Sequence, residues 1–217
     1  MSQNLHRVKR QERLQQAMDI MPLVAILRGL TPASATSIGS ALVDGGIQIL
    51  EVPLNSPDPI QSIALLRNYL PEHVIVGAGT VRNVNDIDQL QQINADIVVM
   101  PHCSPVLIQK SIDSGLEPFP GVFSPTEAFL AIDTGARYLK IFPANCNPSL
   151  PKALESILPS GIQMLAVGGV NPSNLNDFSS VQGFGIGSSI FKPQFTSDEV
   201  HARAQAFCKA IVNWRTI

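Results

Sequence analysis

A single lysine stands inside a short apolar run, and its position raises the question of what an amine would do there. The run is Tyr138-Leu139-Lys140-Ile141-Phe142-Pro143. Side chains alternate between the two faces of a β-strand, so a strand with both faces covered would carry Lys140 into the interior. Burial disfavours the charged ammonium and lowers its pKa, which prepares a lysine to form a Schiff base with a ketone. The alternative is an exposed lysine on an edge or antiparallel strand, since lysines usually remain in water.

The composition predicts one domain without a nucleic-acid partner. A chain of 217 residues suits a single α/β barrel and buries a large core without disulfides. Charged residues make up 15% of the chain and apolar residues 45%, and the charged fraction is below the roughly 25% of an average soluble protein. We therefore expect a second subunit to cover part of the surface. The net charge of −2 provides no basic face for nucleic acid or for an anionic membrane.

The cysteines and the N-terminal residues predict a cytoplasmic protein without a metal or another cofactor. Cys103, Cys146 and Cys208 are widely spaced and form no CxxC pair or His/Cys cluster, so we expect free thiols. The first 22 residues contain several charged side chains and lack the apolar core of a secretory signal. No segment approaches the ~20 unbroken apolar residues of a membrane span.

A repeated pattern of a short apolar run, a turn and a helical stretch organises the chain from residue 22 onward. It predicts strands over 23–27, 49–54, 74–78, 97–100, 117–120, 138–142, 164–167 and 183–186. It predicts helices over 33–44, 59–69, 83–92, 105–113, 125–133, 150–158, 173–179 and 198–214. Such alternation is typical of parallel βαβ units. We therefore expect a single-domain (β/α)8 TIM barrel over 22–217. An N-terminal helical extension over 1–21 would cap one end, and a doubly wound open sheet is the alternative.

In a barrel of this kind the catalytic groups lie where the strands pass into their following loops. The ends of four predicted strands carry a cation, a carboxylate, a hydroxyl and an amine, namely Arg28, Glu51, Thr80 and Lys140. We expect these groups to meet at one end of the barrel. Each has a simpler alternative: Glu51 as an exposed residue or an ion-pair partner of Lys140, Arg28 in a surface ion pair, and Thr80 as the cap of the next helix.

The last two predicted strands end in glycine-containing turns, which predict a phosphate site. The turns are Gly168-Gly169 and Gly187-Ser188. Glycines let backbone N–H groups approach an anion, and a short helix after Ser188 would direct its positive end toward that anion. The loops after the seventh and eighth strands commonly hold phosphate in this fold. Simple tight turns are the alternative.

Taken together, these segments resemble the class I aldolases of the KDPG/KHG family, from about Pro22 to the C-terminus. The motifs are Leu-Glu-Val-Pro-Leu (50–54), Val-Gly-Ala-Gly-Thr (76–80), Lys-Ile-Phe-Pro-Ala (140–144) and Val-Gly-Gly-Val (167–170). The resemblance implies cleavage of a 2-keto-3-deoxy-6-phospho sugar acid to pyruvate and glyceraldehyde 3-phosphate. It also implies a homotrimer.

The same resemblance implies a role for each residue. Lys140 would attack the C2 ketone, and Glu51 would move protons as the general acid and base. Arg28 would hold the substrate carboxylate through its planar guanidinium, with the Thr80 hydroxyl beside it. The remaining implied contacts are Pro101 and Phe142 as walls, Val167 beside the reacting carbons, and Gly168, Gly169, Gly187 and Ser188 at the phosphate.

Two positions favour the galactonate epimer of the substrate. The phosphogluconate-type members of the family carry an arginine where this chain has Asn55, and a threonine where it has Val167. A methyl in place of a hydroxyl removes a hydrogen-bond partner for the C4 substituent, which alters the epimer that is held productively. The gluconate epimer is the alternative. The loop Asn145-Cys146-Asn147-Pro148 departs from both patterns.

Two other classes of protein could share the barrel. A sugar-phosphate epimerase or isomerase would keep the phosphate site but would need paired acid and base residues and often a metal. A non-catalytic barrel would keep the fold, with Lys140 in an ion pair. Neither class uses a buried amine as a nucleophile, so a covalent pyruvate adduct would separate both from an aldolase.

Overall fold

The computed structural model describes residues 2–178 and 180–216, and for residues 2–6 the backbone alone. In chain order the elements are α1 (Ser2–Ile20), β1 (Leu23–Ile26), α2 (Pro32–Asp44), β2 (Ile49–Pro53), α3 (Pro59–Tyr69), β3 (Ile75–Gly79), α4 (Val84–Gln92), β4 (Ile97–Val99), α5 (Pro105–Asp113), β5 (Glu117–Phe119), β6 (Gly121–Val122), α6 (Pro125–Asp133), β7 (Tyr138–Ile141), α7 (Leu150–Glu155), β8 (Gln163–Val167), β9 (Gly183–Ile186) and α8 (Ser197–Arg215). In the part of the chain described, none of these helices is both long enough and apolar enough to cross a membrane.

The nine strands are parallel and close into a ring. Their order is β5-β4-β3-β2-β1-β9-β8-β7-β6, and β5 and β6 are separated only by Pro120. Proline has no N–H to donate, so the strand predicted over 117–120 stops at Phe119, and a second half that was not predicted, Gly121–Val122, continues the same strand after Pro120. One half pairs with β4 and the other with β7, and the Lys140 N–H donates to the Pro120 carbonyl at 2.9 Å. Because β5 and β6 together occupy one position in the ring, the nine strands fill eight strand positions. The predicted (β/α)8 TIM barrel is confirmed, and the open doubly wound sheet is wrong.

Alternate residues along each strand face two separate cores. On β2, Leu50 and Val52 belong to the core between strands and helices, whereas Ile49 belongs to the core inside the ring. The inner core consists of Leu14, Ala17, Met18, Val24, Ile26, Ile49, Ile75, Ile97, Val99, Phe119, Tyr138, Leu165 and Val167. Glu51 follows Ile49 by two residues and Lys140 follows Tyr138 by two. Both charged side chains are therefore placed on the inner face.

Helix α1 closes the end of the barrel at which the strands begin. Its Leu14, Ala17 and Met18 are part of the inner core. Arg215, near the end of α8, donates from Nη2 to the Met18 carbonyl at 2.9 Å and from Nη1 to the Asp19 carbonyl at 2.8 Å. These bonds satisfy carbonyls that the end of a helix leaves without partners. The predicted N-terminal capping helix is confirmed.

The helix predicted over 173–179 is wrong for the residues that the structure describes, which leave out Ser179. Only a 3₁₀ turn over Leu175–Asp177 forms. The Asn171 N–H donates to Asn174 Oδ1 at 2.8 Å, and the Ser173 N–H donates to Asn171 Oδ1 at 3.0 Å. Short polar side chains thus bind the backbone groups that would start a helix. The preceding helix is also shorter than predicted and ends at Glu155.

A buried carboxylate fastens α1 to the barrel. Asp96 is 1% exposed, and its Oδ1 accepts from Arg10 Nε at 3.2 Å and from Arg13 Nη2 at 2.8 Å. Its Oδ2 accepts from Arg67 Nη1 at 2.8 Å and from the Val76 N–H at 3.0 Å. One side chain therefore joins α1, α3 and β3.

Replacing Asp96 is expected to destabilise the fold strongly. Asp96→Ala leaves three guanidinium groups without their shared anion, and we expect the free energy of unfolding to fall by ~3–5 kcal/mol. The matched control is Asp88→Ala, because Asp88 is half exposed and pairs with Lys110 at 2.5 Å on the surface. Such pairs contribute about 1 kcal/mol or less. Urea denaturation at one protein concentration measures both variants, and equal losses would contradict the role given to Asp96.

Candidate active site

One cavity opens at the end of the barrel at which the strands terminate. Its volume is ≈ 450 Å³. All the site residues predicted from the sequence line it, namely Arg28, Glu51, Thr80, Pro101, Lys140, Phe142, Val167, Gly168, Gly169, Gly187 and Ser188. They come from distant parts of the chain and meet because parallel strands all end on the same side of the ring.

Lys140 projects from β7 into the base of this cavity. Its side chain is buried, with 7% of the residue exposed, and Nζ lies 4.7 Å from the centroid of the Phe142 ring. Burial lowers the pKa of the Lys140 amine; the charge of Glu51 opposes this shift and the charge of Arg28 adds to it. The exposed position considered for this lysine is therefore wrong. An amine with a lowered pKa is neutral in a larger fraction of molecules and can act as a nucleophile.

Glu51 projects from β2 into the same cavity and is 2% exposed. Burial raises the pKa of the Glu51 carboxyl, while the charges of Lys140 and Arg28 act in the opposite direction. Among the described residues Oε2 has no hydrogen-bond partner, and the ion pairs that form do not join Glu51 to Lys140. The carboxylate lies against Gly79, where a Cβ would overlap it. The glycine thus leaves the space that the carboxylate occupies.

The environments of the two groups move their proton affinities toward each other. A carboxyl with a raised pKa holds a proton more readily than usual, and an amine with a lowered pKa loses one more readily. Such a pair can pass protons to and from a bound substrate. The alternatives of an exposed Glu51 and of a direct ion pair are both wrong.

Arg28 stands at the mouth of the cavity, after β1. Its Nη1 donates to Asn55 Oδ1 at 2.6 Å, and the neighbouring Gly29 N–H donates to Ser56 Oγ at 2.9 Å. The two loops after β1 and β2 are therefore joined side by side. Arg28 takes part in none of the ion pairs of the described residues, so its guanidinium is available to an anion.

Thr80 adopts an unusual backbone conformation directly after β3. Its φ of 58° lies in the left-handed region, which costs a β-branched residue on the order of 1–3 kcal/mol. The alternative role of Thr80 as a helix cap is wrong, because α4 begins after Asn83, whose N–H donates to Asp86 Oδ2 at 3.3 Å. The strained residue lines the cavity instead.

The floor beneath Lys140 is apolar and nearly filled. Val99, Phe119, Leu165 and Val167 line a space of ≈ 10 Å³ that Lys140 and Glu51 also border, which is room for about one water at most. Val167 borders both this space and the open cavity. The two ionisable groups therefore have almost no solvent below them.

Two consecutive glycines turn the chain after β8. Gly168 has φ 101° and Gly169 φ 73°, a conformation that residues with a Cβ rarely adopt. Asn145 packs directly on Gly169, and its N–H donates to the Gly168 carbonyl at 3.3 Å. The turn is thus fixed on one side by the loop after β7 and faces the cavity on the other.

The turn after β9 differs from the expectation. The sequence predicts a short helix after Ser188, but the N–H groups of Ile190 and Phe191 both donate to the Gly187 carbonyl, at 2.9 Å and 3.1 Å, in a single turn. The expected helix is therefore wrong. Gly187 and Ser188 still line the cavity beside Gly168 and Gly169.

A second group of residues that line the cavity was not predicted from the sequence. Ile26, Val170, Gly185, Ser189, Phe191, Lys192 and Pro193 also line the cavity. Lys192 is the one among them whose charge could bind a ligand. The one feature of the sequence that could have predicted Lys192 as a lining residue is its position shortly after Gly187. Within the described residues, no group of three or more His, Cys, Asp or Glu side chains could hold a metal ion.

Comparisons with known proteins agree on one family. Residues 12–203 match the family model of the KDPG and KHG aldolases. Over 188 residues the chain is 39% identical to a probable 2-dehydro-3-deoxy-6-phosphogalactonate aldolase of Rhizobium meliloti (strain 1021), covering 85% of this chain and 89% of that one. It is 37% identical over 193 residues to the 2-dehydro-3-deoxy-6-phosphogalactonate aldolase of Escherichia coli (strain K12), covering 88% and 94%.

A solved structure described as native KDPGal has the same fold. It superposes with a TM-score of 0.88 at 36% sequence identity, covering 91% of this chain and 97% of the other. A match over most of the chain, in both sequence and fold, is sufficient to assign the family. The chain belongs to the KDPG and KHG aldolase family.

Proposed function

We propose that this protein is a class I aldolase that cleaves 2-dehydro-3-deoxy-6-phosphogalactonate to pyruvate and D-glyceraldehyde 3-phosphate. The observation that carries the proposal is the buried Lys140 amine, which shares a cavity with the Glu51 carboxylate, whose Oε2 has no partner among the described residues. Relatives named for this substrate support its identity.

The first half of the reaction joins the substrate to Lys140. The neutral amine attacks the C2 ketone, and Glu51 gives a proton to the oxygen as it becomes a hydroxyl. The attached nitrogen returns one of its protons to Glu51, which gives it to the hydroxyl; loss of water then leaves an iminium between Nζ and C2 and an ionised Glu51. The apolar floor supports this step because it disfavours the charged ammonium before attack.

The second half breaks the C3–C4 bond. Glu51, now ionised, removes the proton of the C4 hydroxyl, and the electron pair of the C3–C4 bond passes into the iminium. The aldehyde leaves, and an enamine of pyruvate remains on Lys140. A proton returned to C3 and hydrolysis of the resulting iminium release pyruvate and restore both residues.

Groups around the cavity would hold the two charged ends of the substrate. Arg28 and the Thr80 hydroxyl suit the carboxylate, because a guanidinium can bind both oxygens. The glycine turns suit the phosphate, since their backbone N–H groups can approach an anion closely. The residues assigned to the phosphate are Gly168, Gly169, Gly187 and Ser188, with Pro101 and Phe142 as walls.

A homotrimer is part of the proposal. Large apolar side chains remain exposed on α5, on α6 and just before α6: Val106 at 66%, Phe123 at 39%, Phe129 at 37% and Leu130 at 44%. A subunit interface would remove them from water, and sedimentation equilibrium would measure the number of subunits. We also propose a cytoplasmic location, supported by the free thiols of Cys103, Cys146 and Cys208.

Trapping with pyruvate and borohydride tests the nucleophile. We expect mass spectrometry of digested protein to find a reduced pyruvyl adduct on Lys140. Lys140→Met should lose both the adduct and the cleavage activity, because no amine remains at the cavity base. Lys152→Met, which changes an exposed lysine of α7, should keep both. Turnover in Lys140→Met, or an adduct on a different lysine, would contradict the role of Lys140, and the absence of any adduct would favour an epimerase or a non-catalytic barrel.

A second experiment tests the acid and base. Glu51→Gln keeps the size of the side chain but removes proton transfer, so kcat should fall by about 10²- to 10⁴-fold. The matched control is Glu117→Gln, since Glu117 is also buried, at 1% exposure, but bonds Gln11 of α1 at 2.9 Å, at the closed end of the barrel. Steady-state kinetics should show normal turnover in this control. A normal rate in Glu51→Gln would remove Glu51 from the mechanism.

The choice between the two C4 epimers is tested by kinetics. We expect a higher kcat/KM for the galactonate epimer than for the gluconate epimer. Val167→Thr adds a hydroxyl beside the reacting carbons, and it should shift the ratio of the two kcat/KM values toward gluconate by about tenfold or more. Val170→Thr, farther along the same turn, serves as the control. A wild-type preference for gluconate would establish the alternative substrate.

A further inference from the structure

The residues assigned to the substrate phosphate, Gly168, Gly169, Gly187 and Ser188, include no positively charged side chain. The cavity is lined by Arg28, Glu51, Lys140 and Lys192 as its charged side chains among the described residues. Burial shifts the pKa values of Glu51 and Lys140 toward their neutral forms. The two cations left are Arg28 and Lys192. The proposed substrate has a carboxylate at one end and a phosphate with a charge of about −1.5 to −2 at the other.

Lys192 lies on the phosphate side of the cavity. It follows β9 after the turn at Gly187, and β9 pairs with β8, which leads into Gly168. The next residue, Pro193, packs directly against Gly29 after β1. The backbone of Lys192 is therefore held between the glycine turns and the loop after β1.

The Lys192 side chain rests against an aromatic ring outside the catalytic cavity. Its Nζ is 5.7 Å from the centroid of Phe195. Phe195 lines a neighbouring cavity of ≈ 550 Å³, which shares Ser188, Ser189 and Lys192 with the catalytic cavity. Lys192 thus stands on the wall between the two spaces. Its four-carbon stem gives the ammonium reach to either side.

A second cation already binds the same ring more closely. The Arg203 guanidinium carbon is 4.1 Å from the Phe195 centroid, and Arg203 Nη1 donates to the Ser189 carbonyl at 3.3 Å. Arg203 lines the neighbouring cavity but not the catalytic one. The Lys192 ammonium is farther from the ring and exposed, in a contact worth only about 0.5–1 kcal/mol at exposed sites. Leaving Phe195 would therefore cost little.

We propose that Lys192 is the cation that binds the substrate phosphate, moving from Phe195 to the glycine turns when the phosphate enters. Phe195 forms the resting site, which keeps the ammonium near the cavity without filling it. This inference rests on the proposed aldolase function. It adds a residue that would make the enzyme select phosphorylated over unphosphorylated substrates.

The selectivity is measured with two substrates. Lys192→Met keeps the length of the stem and removes the charge, so kcat/KM for the 6-phosphorylated substrate should fall about 10- to 100-fold, mainly through a higher KM. The value for the same sugar acid without phosphate should stay unchanged. Lys192→Arg should restore most of the loss, because a cation returns. An equal loss for both substrates, or no loss for either, would overturn the proposal.

Arg203→Met is the matched control. It removes the other cation on Phe195 from a residue that does not line the catalytic cavity. Both substrates should then react as in the wild type. If Arg203→Met lowered kcat/KM for the phosphorylated substrate as much as Lys192→Met does, the effect would come from the overall positive charge of this surface. The specific role of Lys192 would then be overturned.

Equilibrium binding separates this proposal from the proposed function. Inorganic phosphate is titrated by calorimetry into the wild type, Lys192→Met and Arg203→Met, without any turnover. The dissociation constant for phosphate should rise about tenfold or more in Lys192→Met alone. Weaker phosphate binding in that variant would support Lys192 even if pyruvate trapping at Lys140 failed. Unchanged phosphate binding would overturn the Lys192 proposal while leaving the aldolase function standing.

Discussion

The proposed chemistry depends on one constraint, which is the exclusion of water from the Lys140 amine. Lys140 lies on the inner face of a closed ring of strands, above a floor formed by Val99, Phe119 and Leu165. The ring has no edge through which solvent could enter between strands, and α1 fills its far end with Leu14 and Met18. The low pKa of the amine is therefore a property of the entire barrel, because opening either the ring or its closed end would hydrate the ammonium.

The exclusion of water from the barrel interior also determines where charged and polar side chains can lie. A charge buried without a partner is costly, so among the described residues the buried charged side chains that line the cavity are Glu51 and Lys140, and the groups suited to anions come from the loops after the strands. Arg28 is at the mouth, where Asn55 holds it. The glycine turns after β8 and β9 add backbone N–H groups without adding side-chain bulk. A substrate with an anionic group at each end and its reacting carbons between them matches a cavity with an apolar base and anion-binding groups in the surrounding loops.

Much of the barrel was predictable because local signals determined it, and the errors share a physical cause. Apolar runs and initial prolines located the strands and most helices, and the convergence of parallel strand ends placed Lys140 and Glu51 together. The helix over 173–179 failed because side chains such as Asn171 bind nearby backbone groups, a competition that periodicity does not reveal. Lys192 was missed because its position on the cavity wall arises from packing between distant segments, with Pro193 against Gly29.

Asp96 and Glu51 are both buried carboxylates, but their surroundings are opposite. Asp96, beside the closed end, accepts from three arginines and a backbone N–H, so its charge is compensated and it stabilises the attachment of α1. Glu51, at the open end, has an oxygen without a partner among the described residues. Burial of a carboxylate is costly, and burial is what raises the pKa of the Glu51 carboxyl, against the charges of Lys140 and Arg28. The burial that costs stability thus suits Glu51 to accept and release a proton, whereas the oxygens of Asp96 are occupied in holding α1 to the barrel.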